Sequence, residues 1–538
     1  MKRWLAFGAI AVGLVLNALW FFNAIGGEPV DDAYISYVYA RNALLGHGLT
    51  FNPSERVEGF TNFLWTAMMT PVVASGLDVG RVSSALGVLF AIGVLFLVVR
   101  LARWLGVAEI VGWMAALFLA VDGSFALWGV SGLETPLFAF LLTLGVFLYL
   151  KENFSSLSLV PHASSLASRH AHAPPTNSRF PAGNRTTCGL GPSSGLVFAL
   201  AALTRPEAAA VFALTVGHQA AWRIIDQRKL VTRGDLVRIA SFVIVFVPYW
   251  LIRWRYYHSF LPNSFYAKVS IGGPLAQIER GWNHVQQFVG VHLTWLILLP
   301  ALLALIVVTA RYLRTRRHAD ANASDTRRAF FGFTYFAALV IAYCVYIIYV
   351  GGDWSVGRFF VPILPFAYLL IAEGAYFILQ VASLQSGTAV AAALLLSIAL
   401  WFASAYNGEF RIFIGGFDAA RATEARIAAG KWLKANVPAG TWIAVDAAGQ
   451  VPYFSELPAI DMFGINDLHI GRMPVATLGQ GTPGHEKFDL GYIIARAPQY
   501  VIIYGTLFDN VSEYRRASVQ WTNDPALENF LTIYERVR

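Results

Sequence analysis

The sequence predicts an all-α polytopic membrane domain followed by a small extracytoplasmic α/β domain. Of its 538 residues, 57% are hydrophobic and only 13% are charged, whereas a soluble chain carries about 25% charged residues. The apolar residues form continuous runs without alternation, which indicates helical spans rather than barrel strands. Charged residues become frequent only after residue 407, which indicates a separate folded unit. This composition excludes a soluble enzyme and a disordered chain.

The apolar runs predict eleven membrane spans. The first run follows Lys2 and Arg3 and is too long for a signal peptide, so it is expected to remain as a span. The run at 195–222 is interrupted at 204–207, which predicts two short helices that meet at a break. The segment 62–77 is short and contains Pro71, so we interpret it as an interfacial helix. The predicted spans are 4–25, 82–104, 107–127, 136–150, two within 195–222, 239–256, 286–310, 330–350, 359–381 and 387–405.

The distribution of positive charge predicts the orientation of these spans. With 62–77 lying in the interface, the loops on the N-terminal side hold nineteen Lys and Arg residues, about twice as many as the opposite loops. Positive residues collect in cytoplasmic loops. The net charge of +8 therefore reflects topology, and nucleic acid is not expected as a partner. We expect a multi-pass protein of the bacterial inner (plasma) membrane, with a cytoplasmic N-terminus and a periplasmic or extracellular C-terminal domain.

The composition predicts two domains, at 1–406 and 407–538. The first contains a first outer loop at about 27–80 and a cytoplasmic insert at about 151–194 that is rich in Ser, Pro and His. The second holds 12 Lys and Arg residues and 14 Asp and Glu residues, so it is near neutral and much more polar than the spans. The elements expected there are a helix at 423–436 and strands at 441–445 and 500–504.

Two adjacent carboxylates, Asp31 and Asp32, directly follow the first span. Their mutual repulsion beside a bilayer is expected to raise one pKa of the pair. Such a carboxylate can act as a general base toward a sugar hydroxyl, or it can hold a divalent cation. The structural alternative is a helix cap with a favourable dipole interaction. His170 and His172 in the insert could bind a metal, but a flexible insert is favoured because no acidic or cysteine partner is spaced with them.

Polar amides and aromatic residues follow in the same outer loop. Tyr34, Arg41 and Asn62 lie there, and such residues suit carbohydrates because they bond to the edge of a ring and stack on its face. An ordinary interfacial loop has the same composition. The predicted topology places further polar clusters on this outer face: 131–134 with Glu134, 205–207 with Arg205, 262–264 with Asn263, and 351–353 with Asp353 and Arg358.

The run 31–65 resembles the first outer loop of membrane glycosyltransferases of the GT-C class. It is most similar to the family of the mycobacterial terminal β(1→2) arabinofuranosyltransferase (arabinofuranosyltransferase B), which also includes a flagellar motor control protein. The resemblance covers nearly the whole chain. It continues at 131–135, 203–207, 261–268 and 351–359, and then at Asp446, Gly449, Tyr453, 461–467 and 484–487.

This resemblance implies a GT-C fold with its active site at the outer face. It implies transfer of a sugar, with arabinofuranose as a candidate, from a polyprenyl-phosphate-linked donor to a glycan, lipid or protein acceptor of the cell envelope. The leaving phosphate needs basic groups at the membrane surface, and Arg205, Lys268 and Arg358 are the candidates. Their structural alternatives are a helix cap, interfacial snorkelling and an ion pair with Asp353, respectively.

The remaining polar residues are assigned on the same basis. Asp32 is the expected base, with Asp31 as a cation ligand, a second hydrogen-bond acceptor or a cap. The candidates for contacts with the substrate are Glu134, Asp353, Tyr34, Arg41, Asn62 and Asn263. In the outer domain, either an acceptor-binding surface or a satisfied hydrogen-bond network is expected at Asp461, Asp467, His485 and Glu486.

Two other classes of function remain as alternatives. A non-enzymatic assembly factor, as the flagellar member suggests, would tolerate loss of Asp31 and Asp32. A transporter would carry charged residues near the middle of its spans and would show inverted repeats. The charges of this chain instead lie at the ends of the spans and no repeat is visible, which favours the enzyme.

Overall fold

The computed structural model describes residues 2–155, 193–227, 231–269, 275–292, 295–317, 323–383 and 386–537. The predicted insert at about 151–194 lies outside the described residues except for its two ends. Helices make up the first part of the chain, and a five-stranded sheet with short helices forms the last part. The predicted order of a helical membrane domain and a small α/β domain is therefore confirmed.

The described residues of the helical part form sixteen α-helices. Those before the insert are α1 (Lys2–Ala24), α2 (Asp31–Leu44), α3 (Phe63–Ala74), α4 (Val79–Leu105), α5 (Glu109–Val121), α6 (Gly123–Val130) and α7 (Thr135–Ser155). Those after it are α8 (Ser194–Thr204), α9 (Ala208–Trp222), α10 (Arg233–Tyr257), α11 (Asn263–Lys268), α12 (Leu275–Val291), α13 (Trp295–Arg317), α14 (Ala323–Val350), α15 (Leu364–Val381) and α16 (Ser386–Leu400). A π-helix, Trp401–Ile414, continues α16.

Within the described residues, nine helices are long and apolar enough to cross a membrane. The pair α5 and α6, bent by 61°, would make a tenth crossing. The eleventh predicted span corresponds to α8, whose 11 residues are fewer than the roughly 20 that a full crossing needs. Helix α3 has 12 residues and is likewise short, in agreement with its predicted interfacial placement.

Two predicted spans have different bounds in the structure. The run 286–310 is divided between α12 and α13, so the predicted start at 286 lies inside a separate, more polar helix. The last span does not stop at 405 but continues to Ile414. Glu409 in its final turns is buried against another helix, where it accepts a hydrogen bond from the Ser124 hydroxyl at 2.8 Å.

The break at 204–207 appears where the sequence predicted it. Helix α8 ends at Thr204, Arg205 takes an extended conformation with φ −150°, and α9 begins at Ala208. Pro206 cannot donate the backbone hydrogen bond that would continue the first helix. The break leaves the Arg205 side chain within the bundle instead of on a helix surface.

The helices and strands that follow Ile414 form a C-terminal domain, called the outer domain because it lies beyond the end of the last apolar helix. The helices are α17 (Gly415–Phe417), α18 (Ala419–Asn436), α19 (Gln450–Ser455), α20 (Leu468–Arg472), α21 (Leu490–Arg496) and α22 (Pro525–Phe530). The strands are β1 (Ile443–Val445), β2 (Ala459–Asp461), β3 (Tyr500–Tyr504), β4 (Tyr514–Arg516) and β5 (Leu531–Arg536). The predicted helix and the two predicted strands correspond to α18, β1 and β3.

The sheet has the strand order β2-β1-β3-β5-β4. Strands β2, β1 and β3 are parallel, whereas β5 is antiparallel to both β3 and β4. Apolar layers cover both faces of the sheet, with α18 and α19 on one side and α20 and α21 on the other. The three parallel strands end at one edge, and this edge faces the beginning of α2, where Gly449 and Gln450 contact Asp31.

Candidate active site between the two domains

Two cavities meet at the junction of the helical part and the outer domain, and both are lined by Asp32 and Lys268. The first, called the membrane-side cavity, encloses about 1310 Å³ and the second, called the outer crevice, about 1570 Å³, both with their open mouths included. The polar residues of the membrane-side cavity include Asp32, Asn62, Glu134, Arg205, Lys268 and Arg358. Those of the outer crevice include Asp31, Asp32, Lys268, Arg426, Asp446 and His485.

The two adjacent aspartates at the start of α2 have different partners. The carboxylate of Asp31 accepts hydrogen bonds from the backbone N–H groups of Gly449 at 3.0 Å and Gln450 at 2.8 Å, at the start of α19. The carboxylate of Asp32 is 3.2 Å from the Arg358 guanidinium, and its side chain remains 30% exposed. Neighbouring side chains on a helix point about 100° apart, so Asp31 holds the outer domain while Asp32 faces the cavities.

The protonation of Asp31 follows from this environment. Burial raises its pKa above the ordinary value, and the opposing effects of the Arg426 charge and the Gln450 N–H group do not compensate. The direction agrees with the expectation for the pair, but the main cause differs from the mutual repulsion that the sequence suggested. Burial contributes more to the shift than the neighbouring carboxylate does.

Arg358 is fixed by two carboxylates. Its guanidinium donates to both oxygens of Asp353, at 2.7 and 2.8 Å, and its third contact is Asp32. Burial alone would raise the pKa of Asp353, but the charges of Arg358 and Lys268 outweigh it and hold that pKa below its usual value. The ion pair that the sequence allowed is present, and it orients the remaining edge of the guanidinium toward the membrane-side cavity.

Arg205 is also held by two carboxylates. It donates to Glu134 at 2.8 Å and to Glu207 at 2.6 Å. Glu134 in turn accepts a hydrogen bond from the Asn62 amide at 2.6 Å. The aromatic ring of Phe359 lies 5.2 Å from the guanidinium carbon. Three predicted site residues, Asn62, Glu134 and Arg205, therefore form one connected wall of the membrane-side cavity.

Lys268, the last residue of α11, differs from both arginines. No hydrogen bond or ion pair joins its ammonium group to any other described residue. Burial lowers its pKa, the Arg358 charge adds to this effect, and Asp353 and Asp32 oppose it. The loop 482–485 of the outer domain covers the lysine stem: a Cβ atom added to Gly484 would lie 3.1 Å from Cε of Lys268. Lys268 is thus a confined cation between the two cavities.

Three of the predicted substrate contacts lie between the domains and outside the lining of both cavities. The Tyr34 hydroxyl donates to Glu28 at 2.8 Å. Arg41 donates to the carbonyl of Tyr453 at 2.7 Å. The Asn263 amide donates to three backbone carbonyls, those of Gly464 at 2.9 Å, Ile465 at 3.2 Å and Asp467 at 3.0 Å. Arg41 and Asn263 attach the outer domain to the helical part.

The predicted polar cluster of the outer domain is largely a hydrogen-bond network. Asp461 accepts from the backbone N–H groups of Asn466 at 2.7 Å and Phe463 at 3.1 Å, and burial raises its pKa to about 6. Glu486 accepts from the N–H groups of Gly479 and Gly481. The same network contains Asp467, which caps α20. His485 differs because it lines the outer crevice.

Sequence reasoning missed Arg426 and did not assign Asp446 a role. Arg426 lies on α18 among alanine and other charged residues, and no motif marks it. Asp446 follows β1, and its position after a predicted strand was the available signal. Among the described residues there is no group of three His, Cys, Asp or Glu side chains that could hold a metal ion. Asp31 and Asp32 have the separate partners described above.

Similarity to known proteins identifies the fold of the chain. A family model described as "Domain of unknown function (DUF8728)" matches residues 416–535, which correspond to the outer domain. A search of curated proteins gives no match. ArnT from Cupriavidus metallidurans is similar in structure, at 13% identity: its undecaprenyl phosphate-bound form has a TM-score of 0.53 over 98% of both chains, and its apo form 0.56 over 99% of this chain and 98% of that one.

The apo oligosaccharyltransferase of Archaeoglobus fulgidus is also similar. It has a TM-score of 0.53 at 11% identity, over 92% of this chain and 69% of that one. The chain has the GT-C fold. The predicted GT-C fold is thereby confirmed, and the resemblance to the arabinofuranosyltransferase family remains a prediction.

Proposed function

We propose that this protein is a membrane glycosyltransferase that uses a polyprenyl-phosphate-linked sugar as its donor. The observation that carries the proposal is the position of Asp32, a partly exposed carboxylate at the meeting point of two cavities, beside the confined Lys268. A base and an anion-binding cation at the same point are what transfer from a phosphate leaving group requires. The description of the similar ArnT structure as bound to undecaprenyl phosphate supports this donor class.

The donor phosphate would bind in the membrane-side cavity. Arg205 and Arg358 already have carboxylate partners, so they provide oriented donors whose charges are largely balanced. Lys268 has no such partner among the described residues and would contribute the uncompensated positive charge. A phosphate that binds here exchanges its water shell for hydrogen-bond donors held in fixed positions. These donors stabilise the negative charge that develops on the phosphate as it leaves. Glu134 and Asp353 would then act chiefly by positioning these arginines.

Asp32 would act as the base for the acceptor hydroxyl. It takes the hydroxyl proton as the acceptor oxygen forms a bond to the anomeric carbon of the sugar. The bond between that carbon and the phosphate oxygen breaks, and its electron pair leaves with the phosphate. The contact between Arg358 and Asp32 holds the carboxylate in position before reaction. Following the sequence resemblance, we propose arabinofuranose as the sugar and a cell-envelope glycan, lipid or protein as the acceptor.

The proposed orientation puts this site on the outer side of the bacterial inner membrane. Residues from five segments that the charge distribution assigned to one side converge at the junction; they are Asp32, Glu134, Arg205, Lys268 and Arg358. Alkaline phosphatase fused after residue 440, beyond the end of the last span at Ile414, should be active. A reporter that functions only in the cytoplasm should be inactive at the same position, and the reverse pattern would contradict the orientation.

Envelope analysis of a deletion strain tests the function itself. The strain should lack one glycan linkage, which a wild-type copy restores and an Asp32→Asn copy of equal membrane abundance does not. Purified protein should then transfer sugar from a defined polyprenyl-phosphate donor. If the Asp32→Asn copy restores the linkage, the non-enzymatic assembly role is the better interpretation.

A further inference from the structure

We propose that the outer crevice is the acceptor site and that it binds an uncharged sugar ring. This inference rests on the proposed transferase function and assigns the outer domain a direct part in substrate recognition. It starts from topology: β2, β1 and β3 are adjacent and parallel, and their carboxyl ends form one edge. Ligands of open parallel sheets bind at that edge.

The residues that follow these strands line the crevice. Asp446 comes directly after β1, Asp461 ends β2 and is followed by Phe463, and Tyr504 ends β3. Asp32, at the start of α2, lines the opposite wall. A molecule held against the strand ends would therefore present a group to the proposed base.

Asp446 and Arg426 supply the hydrogen-bonding groups that a diol requires. Asp446 accepts the N–H of Tyr504 at 2.6 Å, and a carboxylate has about four acceptor positions. Arg426 has no hydrogen bond or ion pair within the part of the chain that the structure describes, and its Nε is buried. It lines the same crevice as Asp31 and Asp446. Acceptor oxygens beside unused N–H donors match vicinal hydroxyl groups, each of which both donates and accepts.

Aromatic rings complete the crevice. Tyr504 is 59% exposed and packs edge-on against Phe530, with 4.8 Å between ring centroids. Phe463 contacts the His485 ring at 4.6 Å, and all four rings line the crevice. Exposed aromatic faces next to polar groups provide apolar contact for the C–H face of a sugar ring.

The charge of the lining distinguishes the two cavities. The outer crevice carries four carboxylates, Asp31, Asp32, Asp446 and Asp461, against the two cations Lys268 and Arg426. The membrane-side cavity carries three carboxylates and three cations, counting only described residues. An anionic group is therefore favoured on the membrane side and disfavoured in the crevice. This asymmetry assigns the donor phosphate to the former and a neutral ring to the latter.

Binding of simple glycosides, without any donor, tests the inference. Neutral methyl pentofuranosides and hexopyranosides should bind to the full-length protein in nanodiscs, detected by saturation-transfer NMR, whereas methyl glucuronide should not. Arg426→Gln and Asp446→Asn should each weaken the neutral glycosides about tenfold. The asparagine can still accept the Tyr504 N–H, so this variant should fold. The matched control is Arg421→Gln on the same helix, where Arg421 is exposed and pairs with exposed Asp418; its binding should equal wild type.

Three results would overturn the acceptor site: no neutral glycoside binds to the wild type, both variants bind as the wild type does, or the glucuronide binds more tightly than neutral rings. These outcomes are separable from failure of the transferase proposal. If the protein binds glycosides in this way but never turns over a polyprenyl-phosphate sugar, the donor assignment fails and the sugar site stands.

Discussion

The membrane-side cavity and the outer crevice share Asp32 and Lys268 but differ in how their charged groups are held. On the membrane side, Arg205 and Arg358 each have two carboxylate partners. In the crevice, Arg426 has none among the described residues, and Asp31 is fixed by backbone N–H groups of the outer domain. The membrane-side cavity is therefore prearranged by ion pairs, whereas the outer crevice has side chains available for a ligand.

This difference suits two partners of different chemistry. A phosphate is the same group in every polyprenyl-linked donor, so a rigid set of oriented cations serves it well and needs little rearrangement. An acceptor ring requires hydrogen bonds that replace water, and side chains without internal partners can supply them. The paired aspartates lie at the boundary, where Asp31 positions the domain and Asp32 remains accessible.

The largest effect should come from replacing the carboxylate that both cavities share. Asp32→Asn keeps the shape but removes the base, so turnover should fall by about 10² to 10⁴, with donor binding retained. Asp31→Asn should lower turnover far less and should act mainly through looser attachment of the outer domain. Single-turnover kinetics and thermal unfolding of both variants would measure this contrast. Equal losses in the two variants would mean that the aspartates act as one unit.

A smaller effect should follow from moving α2 away from the outer domain. A Cβ atom at Gly449 would overlap the backbone carbonyl of Asp31, so Gly449→Ala should displace α2 from the outer domain. Misplacement of about 1 Å at a reacting group can cost about 10² in rate, and we expect a loss of that order. Gly491→Ala is the control because its nearest neighbour is Asp489 Oδ1 at an ordinary 3.5 Å. Wild-type turnover in Gly449→Ala would show that activity does not depend on the exact position of α2 against the outer domain.

How far the sequence predicted this architecture depends on the range of the contacts. Continuous apolar runs are local, so the spans and the break at 204–207 followed directly from them. The pair of Arg358 with Asp353 is only five residues apart and was anticipated. The contact of Arg358 with Asp32, 326 positions away, has no local pattern. It was not predicted, since the resemblance suggested only that both residues belong to one active site.

Contacts between the domains were harder to assign. Arg41 and Asn263 looked like substrate ligands because they are polar residues at an outer face. Their observed acceptors are backbone carbonyls of the outer domain. Because every residue has a backbone carbonyl, no sequence pattern indicates which one a polar side chain will contact. Arg426 was missed for the converse reason, since an available arginine on a helix looks like a solvated one.

Lys268→Ala should weaken the donor side alone. Loss of one charge-assisted contact should raise the donor KM about tenfold or more. Stability should fall less than in Arg358→Ala, because no described carboxylate loses a hydrogen-bond partner. Arg358→Ala should instead destabilise the protein by about 3–5 kcal/mol, since buried Asp353 would be left uncompensated. Exposed Lys434, which pairs with Glu456, provides the control Lys434→Ala. Unaltered donor KM in Lys268→Ala would exclude this lysine from phosphate binding.

The smallest expected effect is a shift in alkaline pH dependence, again confined to the membrane side. Burial lowers the pKa of Lys268 from its ordinary 10.5, and phosphate binding requires the protonated form. As the pH rises through this lowered pKa, the ammonium group loses its proton, and the donor KM should begin to increase at a pH below 10.5. Arginine stays charged throughout this range, so Lys268→Arg should move the increase to higher pH while the binding of neutral glycosides in the crevice remains unchanged. Donor KM and glycoside binding measured over the same pH series would test both halves of the comparison. Coincident KM profiles for the two proteins would assign the alkaline limb to another group.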